Sequence, residues 1–116
     1  MKHSLPFADV LDLGRGIVEV IPHAGAELGL DEAKALAALY IQIAESPRML
    51  VNRSNKYTST SDFMDVMVHT KEFKAVAVFV PGYEGALVAE SQKYLFDIPF
   101  ERFLDRNEAI DWLRAQ

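Results

Sequence analysis

The sequence predicts an α/β fold with the element order β-β-α-β-α-β-α-β-α, in which helices pack on a mixed, mostly parallel five-stranded sheet. Half of the 116 residues are hydrophobic, which suffices for one core at this length. Short runs of β-branched residues alternate with amphipathic segments of about a dozen residues, the pattern of parallel strands joined by crossover helices. A hairpin near the N-terminus adds an antiparallel neighbour. We expect a single domain over residues 1–116.

The first two strands are expected at residues 7–13 and 17–21. The first run alternates loosely between apolar and polar residues, and the second is Ile-Val-Glu-Val-Ile, which is rich in β-branched side chains. The intervening Gly14-Arg15-Gly16 is a turn signal, because glycine adopts positive φ without steric cost. The two strands therefore form a hairpin, and a glycine-containing loop follows.

The middle of the chain predicts a helix, a strand and a second helix. Apolar residues recur at helical spacing over residues 31–45, with Asp31 as the expected cap and Pro47 just beyond the end. Residues 48–53 contain a short buried strand. Ser59 and Asp62 have the spacing of a helix-capping pair, so a second helix is expected to follow Ser59.

The last third predicts two more strands, each followed by a helix. Residues 75–80 are apolar throughout, which is typical of a strand buried on both faces of a parallel sheet. A helix is expected over residues 84–96 and a short strand over residues 98–103, with Pro99 near its start. Asp105 then caps the final helix, which Trp112 anchors.

Composition and charge exclude several classes of function. The sequence has no cysteine, so disulfides, thiol catalysis and thiolate metal sites are excluded. A net charge of −5 argues against binding to nucleic acids or to an anionic membrane surface. His3, His23 and His69 lack the spacing of metal ligands, and we expect neither a metal nor a cofactor. With no apolar run long enough to span a membrane, a cytoplasmic location is expected.

Three segments carry a resemblance to a known family. They are Leu50-Val51-Asn52-Arg53, the run from Lys71 to Ala77, and the tail from Ile98 to Leu113, which ends in acid-x-x-Glu-Ala-x-x-Trp-Leu. The chain resembles the STAS domain, and most of all the small SpoIIAA-like bacterial proteins. The resemblance implies the mixed sheet described above. It also implies a regulatory role, because STAS-domain antagonists are switched by phosphorylation where the helix after the third strand begins.

The corresponding loop in this chain is the first candidate site. A helix N-terminus offers free N–H groups and a partial positive charge, which suit a phosphate or another anion, and basic side chains add charge. The alternative is that the hydroxyls only cap the helix. The chain lacks an aspartate-serine-x-glycine signature, so the resemblance transfers no single phosphorylated position. The candidate switch or anion-contact residues are Arg53, Ser54, Lys56, Thr58, Ser59, Thr60 and Ser61.

A second candidate loop, Gly82-Tyr83-Glu84, follows the most apolar strand, and ligands of open α/β sheets bind beyond the carboxyl ends of strands. The alternative is a simple turn. Since no catalytic motif is present, we expect a non-enzymatic regulatory or protein-interaction module with an unknown protein partner. The second hypothesis is a carrier or sensor that binds a small apolar or amphipathic ligand. The surplus of apolar helix residues would also suit a homodimer.

Overall fold

The computed structural model describes residues 2–82 and 92–116, and this part of the chain contains eight strands and three α-helices. The strands are β1 (Lys2–Ser4), β2 (Ala8–Gly14), β3 (Ile17–Pro22), β4 (Glu27–Leu28), β5 (Arg48–Asn52), β6 (Thr58–Ser59), β7 (Ala75–Phe79) and β8 (Phe100–Phe103). The helices are α1 (Leu30–Ile43), α2 (Ser61–His69) and α3 (Arg106–Arg114), and a 3-10 turn lies at Lys93–Leu95.

Six strands form the main sheet, in the order β1-β2-β3-β5-β7-β8. β1, β2 and β3 are antiparallel neighbours, and β3, β5, β7 and β8 run parallel. The predicted α/β class and mostly parallel mixed sheet are confirmed, but the predicted five strands are one too few. The sequence of β1 does not alternate between apolar and polar residues, so no local pattern predicts a strand there. β1 is extended because its backbone pairs with β2.

The hairpin turn between β2 and β3 forms as the glycines predicted. Arg15 and Gly16, its two central residues, have φ values of 57° and 77°, as a type I′ turn requires. Gly14 also has a positive φ of 84° and lies where the register of the two strands shifts. The local twist of this turn therefore depends on glycine on both sides of Arg15.

Each face of the sheet has its own apolar core. α1 and α2 cover one face through a cluster that includes Val18, Val20, Ala33, Leu36, Tyr40, Met49, Met67, Val76 and Val78. α3 covers the other face through Ile17, Leu50, Ala75, Ala77, Ala109 and Leu113. β7 supplies buried residues to both clusters, which explains the uninterrupted apolar run that predicted it.

The first helix begins earlier and ends earlier than residues 31–45. α1 starts at Leu30, so Asp31 lies inside its first turn and is not the cap. The backbone N–H of Gly29 instead donates a hydrogen bond of 2.8 Å to Oε1 of Glu32. A carboxylate three residues into the helix thus satisfies the group that would otherwise be left free at its start.

The second helix is capped by Thr60 and not by Ser59. Oγ1 of Thr60 accepts a hydrogen bond of 3.2 Å from the backbone N–H of Phe63. Ser59 belongs to β6, where it pairs with Leu28 of β4. Strand pairing keeps the chain extended through Ser59 and moves the helix start by one residue.

The last strand and the last helix follow the prediction, but the described end of the helix expected over residues 84–96 is a 3-10 turn at Lys93–Leu95. Most of the helix expected over residues 84–96 lies outside the described residues. The last strand starts at Phe100, after Pro99. Asp105 caps α3 as predicted, because its Oδ1 accepts hydrogen bonds of 2.7 Å from Asn107 N and 3.2 Å from Glu108 N.

One charged side chain, Glu19 of β3, is completely buried under the start of α3. Arg106 binds its carboxylate through two hydrogen bonds, 2.9 Å from Nε and 2.6 Å from Nη2. Nδ2 of Asn52 donates a third, of 2.9 Å. The hydrogen bonds to Glu19 raise the pKa of the Arg106 guanidinium, which therefore stays charged. It joins residues 87 positions apart and fixes α3 over the sheet.

Replacing Arg106 by methionine is expected to lower the free energy of unfolding by about 2–3 kcal/mol, because it leaves the buried Glu19 carboxylate without its cation. This loss is smaller than that expected for a fully buried pair, since Arg106 is partly exposed. Replacing both residues, in Glu19→Leu/Arg106→Met, should recover most of the loss. Urea unfolding measures both effects.

Arg114→Met is the matched control for this experiment. Arg114 forms an exposed ion pair of 3.4 Å with Asp111 on the same helix, and its loss should cost no more than about 0.5 kcal/mol. Equal losses in the two single variants would contradict the role assigned to Arg106.

Candidate functional site

The carboxyl ends of the parallel strands open into a cleft of about 910 Å³. Loops that follow β3, β5 and β7 line it, at the edge where open α/β sheets bind their ligands. The described lining residues are Gly25, Ala26, Glu27, Arg53, Ser54, Asn55, Lys56, Tyr57, Thr58, Ser59, Val80, Pro81, Gly82 and Gln92. The first loop selected from the sequence and Gly82 of the second therefore line the same surface.

The structure divides the predicted site residues into two groups. Five residues of the first loop and one of the second line the cleft, namely Arg53, Ser54, Lys56, Thr58, Ser59 and Gly82. Thr60 and Ser61 instead belong to the start of α2, as its cap and its first residue. Tyr83 and Glu84 lie outside the described residues.

Backbone pairing gives the first loop a defined shape. The N–H of Gly25 donates to the carbonyl of Lys56 over 2.8 Å, and the N–H of Thr58 donates to the carbonyl of Ala26 over 3.0 Å. The short β4–β6 sheet continues this pairing. The loop after β5 is thus bound along its length to the loop after β3, and the cleft wall is formed in advance of any ligand.

Beneath the cleft lies an apolar cavity of about 40 Å³, between the sheet, α1 and α2. Its walls are mostly aliphatic, aromatic and methionine side chains, including Val20, Leu36, Met49, Phe63, Met64, Met67, Val76, Val78, Phe96 and Phe100. Four residues line both the cavity and the cleft: Arg53, Tyr57, Ser59 and Gln92. These four residues form the mouth of the cavity, through which it reaches the surface.

One residue that lines the cavity, Tyr40, carries a buried polar group, its hydroxyl. The side chain is completely buried, and within the described residues its hydroxyl has no hydrogen-bond partner. Burial, with a smaller effect of Tyr57 and Glu19, raises the pKa of Tyr40 well above its ordinary value, so the phenol is neutral. The ring itself packs edge-on against Phe73, with centroids 5.4 Å apart. Leaving such a hydroxyl unpaired costs about 1–3 kcal/mol.

The mouth holds one cation, Arg53, whose guanidinium binds two neutral groups. Its Nε donates a hydrogen bond of 3.1 Å to the phenol oxygen of Tyr57, and its Nη2 donates to Oε1 of Gln92. Nε2 of Gln92 in turn lies 3.8 Å from the sulfur of Met64. These contacts orient the guanidinium, but among the described residues no carboxylate neutralises it.

Two further properties concern residues 2–82 and 92–116 alone. They contain no group of three or more histidine, aspartate or glutamate side chains that could hold a metal ion. No helix among them is both long enough and apolar enough to cross a bilayer.

Tyr40, Tyr57 and Gln92 were not predicted as site residues from the sequence. Tyr40 occurs at an apolar position of the α1 pattern, so it is indistinguishable from a core phenylalanine until its hydroxyl is placed. The available signal was chemical: a buried tyrosine normally has a hydrogen-bond partner for its hydroxyl, so a tyrosine on a core stripe marks a polar group to be satisfied.

Tyr40→Phe is expected to stabilise the ligand-free protein by about 1 kcal/mol or more, because it removes an unpaired buried hydroxyl and keeps the contact with Phe73. Urea unfolding of protein refolded from denaturant, which strips bound molecules, measures this. Tyr94→Phe is the matched control, since Tyr94 is 83% exposed and the same change should stay within about 0.5 kcal/mol. A loss of stability in Tyr40→Phe would mean that the hydroxyl has a partner.

Comparison with known proteins supports the fold. No protein-family model matches the sequence, and no curated protein matches it. A solved structure that matches is that of an uncharacterised DUF3478-family protein from Shewanella loihica PV-4, described as having a SpoIIAA-like fold. The match has a TM-score of 0.64 and covers 97% of this chain and 98% of that chain, at 17% identity. The chain therefore has a SpoIIAA-like fold, as the sequence resemblance implied.

Proposed function

We propose that this protein is a non-catalytic binding protein that takes a small amphipathic ligand into the apolar cavity beneath the cleft. The observation that carries the proposal is the unpartnered hydroxyl of Tyr40, a residue that lines the cavity together with four residues of the surface cleft. A ligand with an apolar body and one hydrogen-bonding oxygen would satisfy this hydroxyl and fill the space. Small-molecule sites have this composition, mostly apolar with a few placed polar groups.

The size of the cavity limits the ligand. An apolar cavity that binds benzene has a volume of about 150 Å³, whereas this one measures about 40 Å³. Only a few carbon atoms fit inside without movement of the walls, and the rest of the ligand must lie in the mouth. A water molecule is the competing occupant, but it needs two to four polar partners. Apart from Tyr40, the polar side chains that line the cavity are those of the mouth.

The chemistry of the lining supports binding over catalysis. Its described polar side chains are two phenols, one guanidinium, one carboxamide and one hydroxyl. None of these is a carboxylate or an imidazole, the groups that most often transfer protons at neutral pH. The phenol of Tyr40 keeps its proton because burial raises its pKa. We therefore assign recognition, and no reaction, to this site.

Val78→Leu is expected to weaken binding of 2-hexanone, a neutral probe with one oxygen and a short chain, by about tenfold or more, because the added methylene fills the cavity. Val10→Leu is the matched control, since Val10 lies in the same core but does not line the cavity. Binding is followed by the methyl NMR signals of Met49, Met64 and Met67, which all line the cavity.

A second measurement uses the ligand that the protein retains. Native mass spectrometry of protein purified without detergent should show an added mass of a small molecule. A bare mass, together with unchanged methionine signals in 2-hexanone, would contradict the proposed function.

The predicted contact role of the loop after β5 is a second candidate function. The cleft wall exposes three hydroxyl side chains, Ser54, Thr58 and Ser59, beside the cations Arg53 and Lys56. A protein partner would be able to contact them there. If the loop is a contact region, Ser59→Asp should change the set of proteins captured from the native cell. Ser46→Asp, at an exposed site before β5 and so at the opposite edge of the sheet, should not. An identical set in both variants would exclude this role for Ser59.

A further inference from the structure

We propose that the ligand is a short oxo- or hydroxy-carboxylic acid, whose carboxylate binds Arg53 in the mouth and whose second oxygen accepts a hydrogen bond from Tyr40. This inference rests on the proposed function and names the ligand class of the same site. It follows from the burial, charge and hydrogen bonding of Tyr40 and Arg53, which line one cavity, the first fully buried and the second half-buried.

The mouth selects for a negative charge. The Arg53 guanidinium has five N–H donors, and its two hydrogen bonds within the described chain go to neutral atoms of Tyr57 and Gln92. These bonds fix its orientation without neutralising it. Lys56 adds a second positive charge to the described lining of the cleft, and Glu27 is its one negative charge. In a chain of net charge −5, such a local positive site stands out as a place for an anion.

A carboxylate suits this cation better than a neutral head group. A planar guanidinium presents parallel N–H donors that match the two oxygens of a carboxylate, and charge-assisted hydrogen bonds are about twice as strong as neutral ones. The half-buried setting of Arg53 also reduces the screening of this attraction by solvent.

The interior selects for a neutral oxygen. The Tyr40 hydroxyl is completely buried, and its raised pKa keeps it a neutral donor. A carbonyl or hydroxyl oxygen can accept its hydrogen bond without bringing a charge into an apolar cavity. A carboxylate placed there would lose its hydration and gain only one hydrogen bond. The two polar ends of the ligand are therefore different groups.

The wall between these two ends is apolar. Met64, Met67 and Val78 line the cavity together with Tyr40 and present carbon and sulfur atoms to its interior. The part of the ligand between its two polar ends is accordingly a short hydrocarbon chain. With about 40 Å³ of space inside, six carbon atoms in total is a suitable length for a probe.

The test compares three six-carbon probes by the NMR shifts of the cavity methionines. The probe 5-oxohexanoate carries both groups, hexanoate carries only the acid, and 2-hexanone carries only the carbonyl. The wild-type protein should bind 5-oxohexanoate more tightly than either of the others, by about tenfold or more, because each polar contact contributes separately.

Two variants should separate the contacts. Arg53→Gln should weaken both acids by about tenfold or more and leave 2-hexanone unchanged. Tyr40→Phe should weaken both carbonyl probes and leave hexanoate unchanged. Arg53→Lys keeps the positive charge and should retain part of the affinity for the two acids. It therefore tests the charge separately if Arg53→Gln changes the structure of the mouth. Arg114→Gln removes the same charge at an exposed site of α3 and should change nothing.

The outcomes distinguish this inference from the proposed function beneath it. Binding of 2-hexanone as tight as that of 5-oxohexanoate, unchanged in Arg53→Gln, would overturn the acid and leave the binding function standing. Equal binding of hexanoate and 5-oxohexanoate, unchanged in Tyr40→Phe, would overturn the second oxygen. If none of the three probes binds the wild-type protein, both the ligand class and the binding function are wrong.

Discussion

The buried carboxylate of Glu19 constrains the rest of this structure. A charge in that position is stable only when it is paired, so the first turn of α3 must place Arg106 over β3. The same carboxylate accepts a hydrogen bond from Asn52, whose own Oδ1 accepts one of 3.0 Å from the backbone of Ser54. The network thus reaches across the sheet and holds the chain on both sides of Arg53. The Glu19–Arg106 ion pair on the α3 face of the sheet is thereby linked, through Asn52, to the position of Arg53 on the opposite face.

The alternation of side chains along the strand makes this coupling possible. Asn52 turns toward α3, whereas the next side chain, Arg53, lines the cavity under α1 and α2. The backbone N–H of Arg53 donates a hydrogen bond of 2.9 Å to the carbonyl of Phe79, which extends the pairing of β5 with β7 by one residue. Adjacent residues therefore belong separately to the structural network and to the proposed site, and backbone pairing ties Arg53 to the central sheet.

Local patterns predicted the elements, and long-range pairing explains the differences. The apolar run of β7 and the aspartate cap of α3 are local signals, and both were interpreted correctly. Ser59 was also predicted to be a cap, but it pairs with β4 and is part of an extended strand instead. Each of these two strands is only two residues long. Glu19 was expected only as one residue of a strand rich in β-branched side chains. Its burial depends on Arg106, far away in sequence, and no local pattern reveals such a partner.

In the candidate site, too, local patterns predicted only part of what the structure shows. Tyr40, on which the proposed function depends most, was not among the predicted residues. Loop composition indicated the cleft, because hydroxyls, glycines and cations cluster at strand ends. Nothing in the α1 pattern separates Tyr40 from a phenylalanine, which would fill the same space and contact Phe73 equally well. A phenylalanine would also avoid the cost of an unpaired buried hydroxyl, about 1–3 kcal/mol. Stability alone thus gives no reason for the oxygen of Tyr40, whereas the ligand oxygen that we propose gives one.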